Sequence, residues 1–359
     1  MHRRQFLTRT GAFAAGMAIT LPALSESESL KPSAARLPRW RGFNLLEKFI
    51  KWEKGNPPFQ ETDFVWMQEW GFDFARLPLS YLCWTEPSDW LKIREPELKH
   101  LDEVVRFGEK HRVHINLNLH RAPGYCVNPP KEPRDLWTDQ KALEACCFHW
   151  AMLSKRFKGI GQERLSFDLL NEPSDIPEAD YVRVVKALAA VIRAEDADRL
   201  IIADGLRWGT TPVQGLVGTG IAQSTRGYEP MQISHYKANW VKGSDQWPEP
   251  AWPLKRDSKP ALDKEGLRKQ RIEPWKKLEQ AGVGIHVGEW GAFNRTPHKA
   301  VLAWMEDCLD LWKSAGWGWA LWNLRGAFGV VDSDRSDVQY ETFQGHRLDR
   351  EMLKLLQRY

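Results

Sequence analysis

The stretch His114-Ile115-Asn116-Leu117-Asn118-Leu119-His120 decides the fold. Strand side chains alternate with period two, so His114, Asn116, Asn118 and His120 share one face and Ile115, Leu117 and Leu119 the other. A surface strand with one solvated face would give the same pattern, but the arrangement recurs along the chain. Short apolar runs at 72–77, 165–170, 231–234, 285–287 and 318–321 each carry or run into polar residues: Arg76, Asn171-Glu172, His235-Tyr236, Glu289 and Trp322-Asn323. Runs at 42–46 and 200–203 bring the predicted strands to eight.

Helical periodicity fills the intervals, at 61–70, 96–111, 136–157, 178–196, 264–281, 297–315 and 350–359, with 211–220 too glycine-rich to make a good helix. Strands alternating with helices predict a parallel sheet, and eight such units close into an α/β (β/α)8 barrel, the TIM-barrel class. A doubly wound open sheet is the alternative. It would place a glycine-rich phosphate turn after its first strand, where this chain reads Leu45-Leu46-Glu47-Lys48. The segments after the third, sixth and eighth strands (120–134, 235–263 and 322–349) are long. In a barrel these loops gather at the C-terminal face of the strands and predict a built-up cleft there.

The 359 residues carry a net charge of +4 and 42% apolar residues, with no basic stripe, which disfavours nucleic acid as a partner. Arg3-Arg4 before the mild apolar run 11–24 reads as a twin-arginine export signal, too short to span a bilayer. The expected organisation is a signal at 1–25 cleaved near 23–29, a polar segment at 26–39, and one catalytic domain at 40–359. The product would be a periplasmic or secreted monomer, free of the membrane once the signal is removed. The five cysteines form no zinc pattern and no disulfide framework, although Cys83 and Cys126 fall on neighbouring loops and a bridge between them is conceivable. Tryptophan is over-used, at 19 against 7 Tyr and 15 Phe. Trp66 and Trp70, at helical spacing, read as core. Trp240, Trp247 and Trp252 lie among prolines and charges and read equally well as a ligand platform or as local packing; Trp208 and Tyr125 are further subsite candidates.

Two carboxylates at one mouth, Glu172 and Glu289, suit glycosidic bond cleavage, which needs one carboxyl as an acid and the other as an anion. Arg76 is placed to hold Glu289 ionised, and a charged Glu289 would push the pKa of Glu172 up. Asn171 can bond a sugar hydroxyl and Trp322 can stack under a pyranose. Pro173 is expected to bias Glu172 towards an extended backbone.

From about Arg41 to its C-terminus the chain resembles glycoside hydrolase family 5, the cellulase-like family. The carriers are Arg41-Gly42-Phe43-Asn44-Leu45, Ala75-Arg76-Leu77-Pro78, Asn118-Leu119-His120, Leu170-Asn171-Glu172-Pro173, His235-Tyr236, Gly288-Glu289-Trp290-Gly291 and Ala320-Leu321-Trp322-Asn323. The resemblance implies a retaining, cofactor-free enzyme acting on β-linked glucans, mannans and related glycosides. It makes Glu172 the acid/base and Glu289 the nucleophile, with Arg76, His120, Asn171, His235, Tyr236 and Trp322 around the reacting sugar, and it implies a cis peptide after Trp322. Endo-β-1,4-glucanase is the first choice of activity, then β-mannanase, then an exo-β-glucanase or β-glucosidase. The proline-rich loop 121–130 departs from the pattern and leaves endo against exo action open.

A metal-dependent barrel hydrolase would want His-x-His on an early strand, which is absent. The run 332–337 lacks the glycine and glutamate of a calcium loop and reads as turn chemistry, with Asp332 a candidate sugar contact. A non-catalytic carbohydrate-binding barrel would keep the tryptophans and lose a carboxylate, and both carboxylates are present.

Overall fold

The computed structural model describes residues 31–86, 88–256 and 259–359; the twin-arginine segment lies outside them. Eight parallel strands make the barrel: β1 (Arg41–Asn44), β2 (Phe74–Ser80), β3 (His114–Ala122), β4 (Leu165–Asp168), β5 (Leu200–Asp204), β6 (Ala222–Gly227), β7 (Ile285–Trp290) and β8 (Gly318–Leu321). Each pairs with the next, and β8 closes on β1 through Arg41↔Trp319, Gly42↔Ala320 and Phe43↔Leu321. The outer ring comprises α1 (Glu61–Trp70), α2 (Glu95–His111), α3 (Gln140–Arg156), α4 (Glu178–Glu195), α5 (Glu273–Gln280), α6 (His298–Ala315) and α7 (Arg350–Arg358). The helix expected over 264–281 runs from Lys264 to Gln280 and carries a π-helical stretch at Arg268–Ile272 just before α5. Among the described residues no helix is long and apolar enough to cross a membrane.

Period two works as read. In β3, Ile115, Leu117 and Leu119 join the core between strands and helices, while the polar residues point into the barrel. The barrel floor is aromatic: Trp40 stacks on His114 with ring centroids 3.7 Å apart, and Phe74 lies against His114 and His286. Gly42 has no room for a side chain, since a Cβ there would sit 1.7 Å from the carbonyl oxygen of Phe74 on β2.

The sixth strand is not where the sequence placed it. Met231–Ser234 is a single helical turn, and β6 is Ala222–Gly227. No full helix covers β6 from the β5 side, where a short turn at Gln214–Leu216 stands instead. The outward Gln223 is satisfied by the backbone of Val213, to which it both donates and accepts. A strand facing a loop outward and a polar network inward has no aliphatic run to betray it.

The proline-rich loop after β3 is folded around Arg121, whose guanidinium donates to the carbonyls of Asn128, Pro129 and Pro130 and to Glu132. The Tyr81 hydroxyl donates to the other oxygen of Glu132. All five cysteines are free thiols, so no Cys83–Cys126 bridge exists; the Cys83 thiol instead donates to the carbonyl of Lys48.

Candidate active site

The barrel strands and the segments after them place three buried carboxyl groups, Asp168, Asp204 and Glu289, and the half-buried Glu172 around two buried guanidiniums. Arg76, on β2 and 1% exposed, donates Nε–H to Asp168 Oδ2 (2.8 Å), Nη1–H to Glu289 Oε1 (2.6 Å) and Asn44 Oδ1 (3.0 Å), and Nη2–H to Asn171 Oδ1 (2.9 Å). Arg226, on β6, is equally buried. It donates Nε–H to Glu172 Oε1 (3.0 Å), Nη1–H to Asp204 Oδ1 (2.9 Å) and Ser224 Oγ (3.0 Å), and Nη2–H to Asn171 Oδ1 (2.9 Å), Asp204 Oδ2 and Glu289 Oε1 (3.3 Å). Tyr228 completes the shell, its hydroxyl donating to Glu289 Oε2 at 3.1 Å. Buried ions are tolerated only when paired and hydrogen-bonded, and here each guanidinium bonds carboxylates from more than one strand.

The two glutamates sit in different surroundings. Glu289 is 4% exposed at its side chain and receives three donors. Glu172 is more open, at 16%. Burial, then the negative charge of Glu289, pushes its carboxyl well above the ordinary glutamate range, and this outweighs the pull of Arg226. Asp168 is pushed up in the same sense by burial and by Asp204, against the pull of Arg76 and Arg226.

Glu172 is not extended, as Pro173 had suggested. Its φ is +49°, the left-handed region, which costs a residue with a Cβ about 1–2 kcal/mol. Two contacts hold it there. Its N–H donates to Asp204 Oδ2 at 2.8 Å, and its carbonyl accepts from the Tyr125 hydroxyl at 2.6 Å.

His120 lies between Phe49 and Trp322, stacked on the latter with ring centroids 5.6 Å apart. Burial, reinforced by Arg76, Arg226 and Arg121, lowers its pKa, so the ring is neutral. Its Nε2 faces the side-chain amides of Asn171 (3.3 Å) and Asn128 (3.4 Å). With those as donors the proton falls on Nδ1, which is buried, 4.0 Å from Glu289 and without a hydrogen-bond partner. The Trp322–Asn323 peptide is cis, as the resemblance implied.

Arg76, His120, Asn171, Glu172, Glu289 and Trp322 thus converge. Tyr236 does not join them: it is buried under Lys237, and the tyrosine on Glu289 is Tyr228. His235 touches the Tyr228 ring, with centroids 5.1 Å apart, and not either glutamate. Tyr125 is buried support for Glu172, not a subsite surface. Trp252 is bonded through Nε1 to Asp307 of α6 and packs on the core, which makes it local packing. Trp247 is half-buried after the turn Ser244–Gln246. Trp240 is 56% exposed on an aromatic patch with Phe293, Phe328 and His235, and Trp208 is 49% exposed with its N–H on the Pro173 carbonyl. Asp332 is engaged by His346 and by the N–H of Arg347, within its own loop. Among the described residues no group of His, Cys, Asp and Glu could hold a metal ion.

Sequence reasoning missed Arg226, Tyr228 and Asp204. The signal was present: Ser224, Arg226 and Tyr228 alternate as the polar residues of β3 do, but without an aliphatic partner face.

A family model, the cellulase family (glycosyl hydrolase family 5), matches residues 30–327. A crystal structure of a glycoside hydrolase superposes with a TM-score of 0.84 and 36% identity, covering 89% of this chain and 99% of that one. Endoglucanase C of Acetivibrio thermocellus is 24% identical over 78% of this chain and 88% of its own length. The endoglucanase Cel5A of Thermotoga maritima, solved also with mannotriose, shares the fold at a TM-score of 0.70 and 22% identity for that complex, over 89% of this chain and 97% of its own.

Proposed function

Because the chain belongs to glycosyl hydrolase family 5 and is a glycoside hydrolase, we propose that it cleaves β-1,4-glucan internally by double displacement, with Glu289 as nucleophile and Glu172 as acid/base. The observation that carries this reading is the unequal pair spanned by one guanidinium. Glu289 is enclosed by donors; Glu172 is more open and is pushed towards its protonated form by burial and by the charge of Glu289, and Arg226 touches an oxygen of each. A guanidinium edge that reaches both carboxylates favours the ~5–5.5 Å separation of a retaining pair over the ~6.5–9.5 Å that an inverting enzyme needs for its water.

Glu289 attacks the anomeric carbon as Glu172 gives its proton to the leaving oxygen. Glu172, now an anion, then takes a proton from the water that displaces Glu289. His120 turns its Nδ1–H towards Glu289, 4.0 Å away, and Trp322 floors the reacting subsite. Trp240 and Trp208 extend the platform along the chain of sugars.

The endoglucanase names of the relatives favour glucan, and the mannotriose complex of the Thermotoga enzyme makes mannan the competing substrate. Purified protein assayed on soluble β-1,4-glucan, mannan and aryl glycosides decides between them. Viscosity falling faster than reducing ends appear on glucan supports endo action, and activity confined to aryl glycosides refutes it. The reading includes a monomer exported by the twin-arginine route.

A further inference from the structure

Arg226 occupies a place that the double-displacement reading leaves without a role. Its Nε meets Glu172 Oε1 at 3.0 Å and its Nη2 meets Glu289 Oε1 at 3.3 Å, while Asp204 anchors Nη1 and Nη2. Arg76 reaches Glu289 alone of the two glutamates. The Arg226 side chain is also boxed in by glycines. A Cβ at Gly209 would lie 2.6 Å from Arg226 Cγ, and one at Gly288 would lie 2.8 Å from Nη1. Asp204, Ser224 and Asn171 hold the guanidinium between the two glutamates.

Charge moves across this guanidinium in each half-reaction. In the first, Glu289 becomes a neutral ester as its oxygen bonds the anomeric carbon. The leaving oxygen departs with the proton of Glu172, so the negative charge passes from Glu289 to Glu172. In the second, water bonds the anomeric carbon and gives its proton to Glu172. The ester bond breaks and its electron pair returns to Glu289. The carboxyl pair carries one negative charge throughout; only its location changes.

We propose that Arg226 is a stationary counter-cation for this migrating charge, and that it makes Glu172 a competent base once Glu289 is esterified. The proposal rests on the double-displacement reading. A fixed cation bonded to both ends of the transfer needs no reorganisation at either step, which is how preorganised charge lowers barriers. The other groups around Glu172 are accounted for. Glu289 and Asp204 oppose its ionisation, Arg76 favours it from farther off, and the Tyr125 hydroxyl touches its backbone carbonyl. Asp168 is engaged by Arg76, Tyr228 by Glu289, and His120 is neutral. When Glu289 becomes an ester its opposition disappears, and Arg226 remains the cation in direct contact with Glu172.

The test is pre-steady-state kinetics of Arg226→Gln on a dinitrophenyl β-cellobioside. Its leaving group needs no proton, so the burst reports formation of the intermediate and the steady state its hydrolysis. The burst should persist while turnover near pH 6 falls at least ~10-fold, and the acid limb of kcat should move up by about one pH unit or more, with activity recovering at higher pH. Azide, which needs no base, should restore turnover. Arg226→Lys, which keeps a cation beside Asp204 and so protects the fold, should show the same pattern at smaller amplitude, because one ammonium cannot serve both carboxylates. An unmoved acid limb in both variants, with burst and turnover falling alike, overturns the role of Arg226 alone. A wild type with no burst and no adduct on Glu289 overturns the double-displacement reading, and the role with it.

Discussion

Tyr125→Phe tests how the acid/base is held. The substitution removes one oxygen and leaves the ring, which packs edge-on against Trp137 with centroids 5.0 Å apart. What is lost is the 2.6 Å bond to the Glu172 carbonyl, one of the two contacts pinning that residue at a φ of +49°. The left-handed conformation costs about 1–2 kcal/mol and a hydrogen bond contributes about 0.5–1.5 kcal/mol net, so one lost pin is comparable to the strain it opposes. Glu172 should then leave its working position for part of the time. A penalty of about 1–2 kcal/mol corresponds to roughly a five- to thirtyfold fall in kcat/KM. That ratio reports steps up to formation of the intermediate, so the fall should appear with cello-oligosaccharides, whose leaving group needs the proton of Glu172. It should stay under about threefold with a dinitrophenyl glycoside, which does not. Equal losses on both substrates would mean that Tyr125 shapes the subsite and does not hold the backbone of the acid.

Three further outcomes are expected. Trp322→Ala should lower kcat/KM by at least ~10²-fold through lost stacking and positioning together, and a change under threefold would make Trp322 mere packing. The alkaline limb of kcat/KM should lie above the ordinary glutamate range, because Glu172 must be protonated to act as the acid and its pKa is raised; Asp204→Asn, which removes an opposing charge but keeps an acceptor for the Glu172 N–H, should move that limb down by about one unit in a pH–rate profile. Replacing Arg3 and Arg4 by lysine should leave the protein in the cytoplasm, as fractionation would show; normal export of that variant would remove the twin-arginine assignment.

The barrel was legible because seven of its strands announce themselves by apolar runs, and β3 gave away its inward face by alternation alone. β6 was not legible by that criterion. Its outward Gln223 meets backbone instead of helix, and its inward Ser224 and Arg226 belong to the site. The aliphatic run nearest to it is Met231–Ser234, a helical turn, whose neighbour Tyr236 lies eight positions past the tyrosine that touches Glu289. Glu172 shows a second limit. Pro173 disfavours the right-handed helix, but the choice between extended and left-handed backbone was made by Asp204 and Tyr125, both distant in sequence. Glu289, Arg76, Asn171, His120 and Trp322 fall in one cluster because each lies in or just after a strand whose register the apolar pattern fixes.

A retaining pair of Glu172 and Glu289 fixes the configuration of the first product. Proton NMR of a β-glucan digest, followed from the first minutes before mutarotation, reads this directly. The first-formed reducing end should carry the β configuration. An α anomer appearing first would mean single displacement by water and would contradict the roles given to both glutamates.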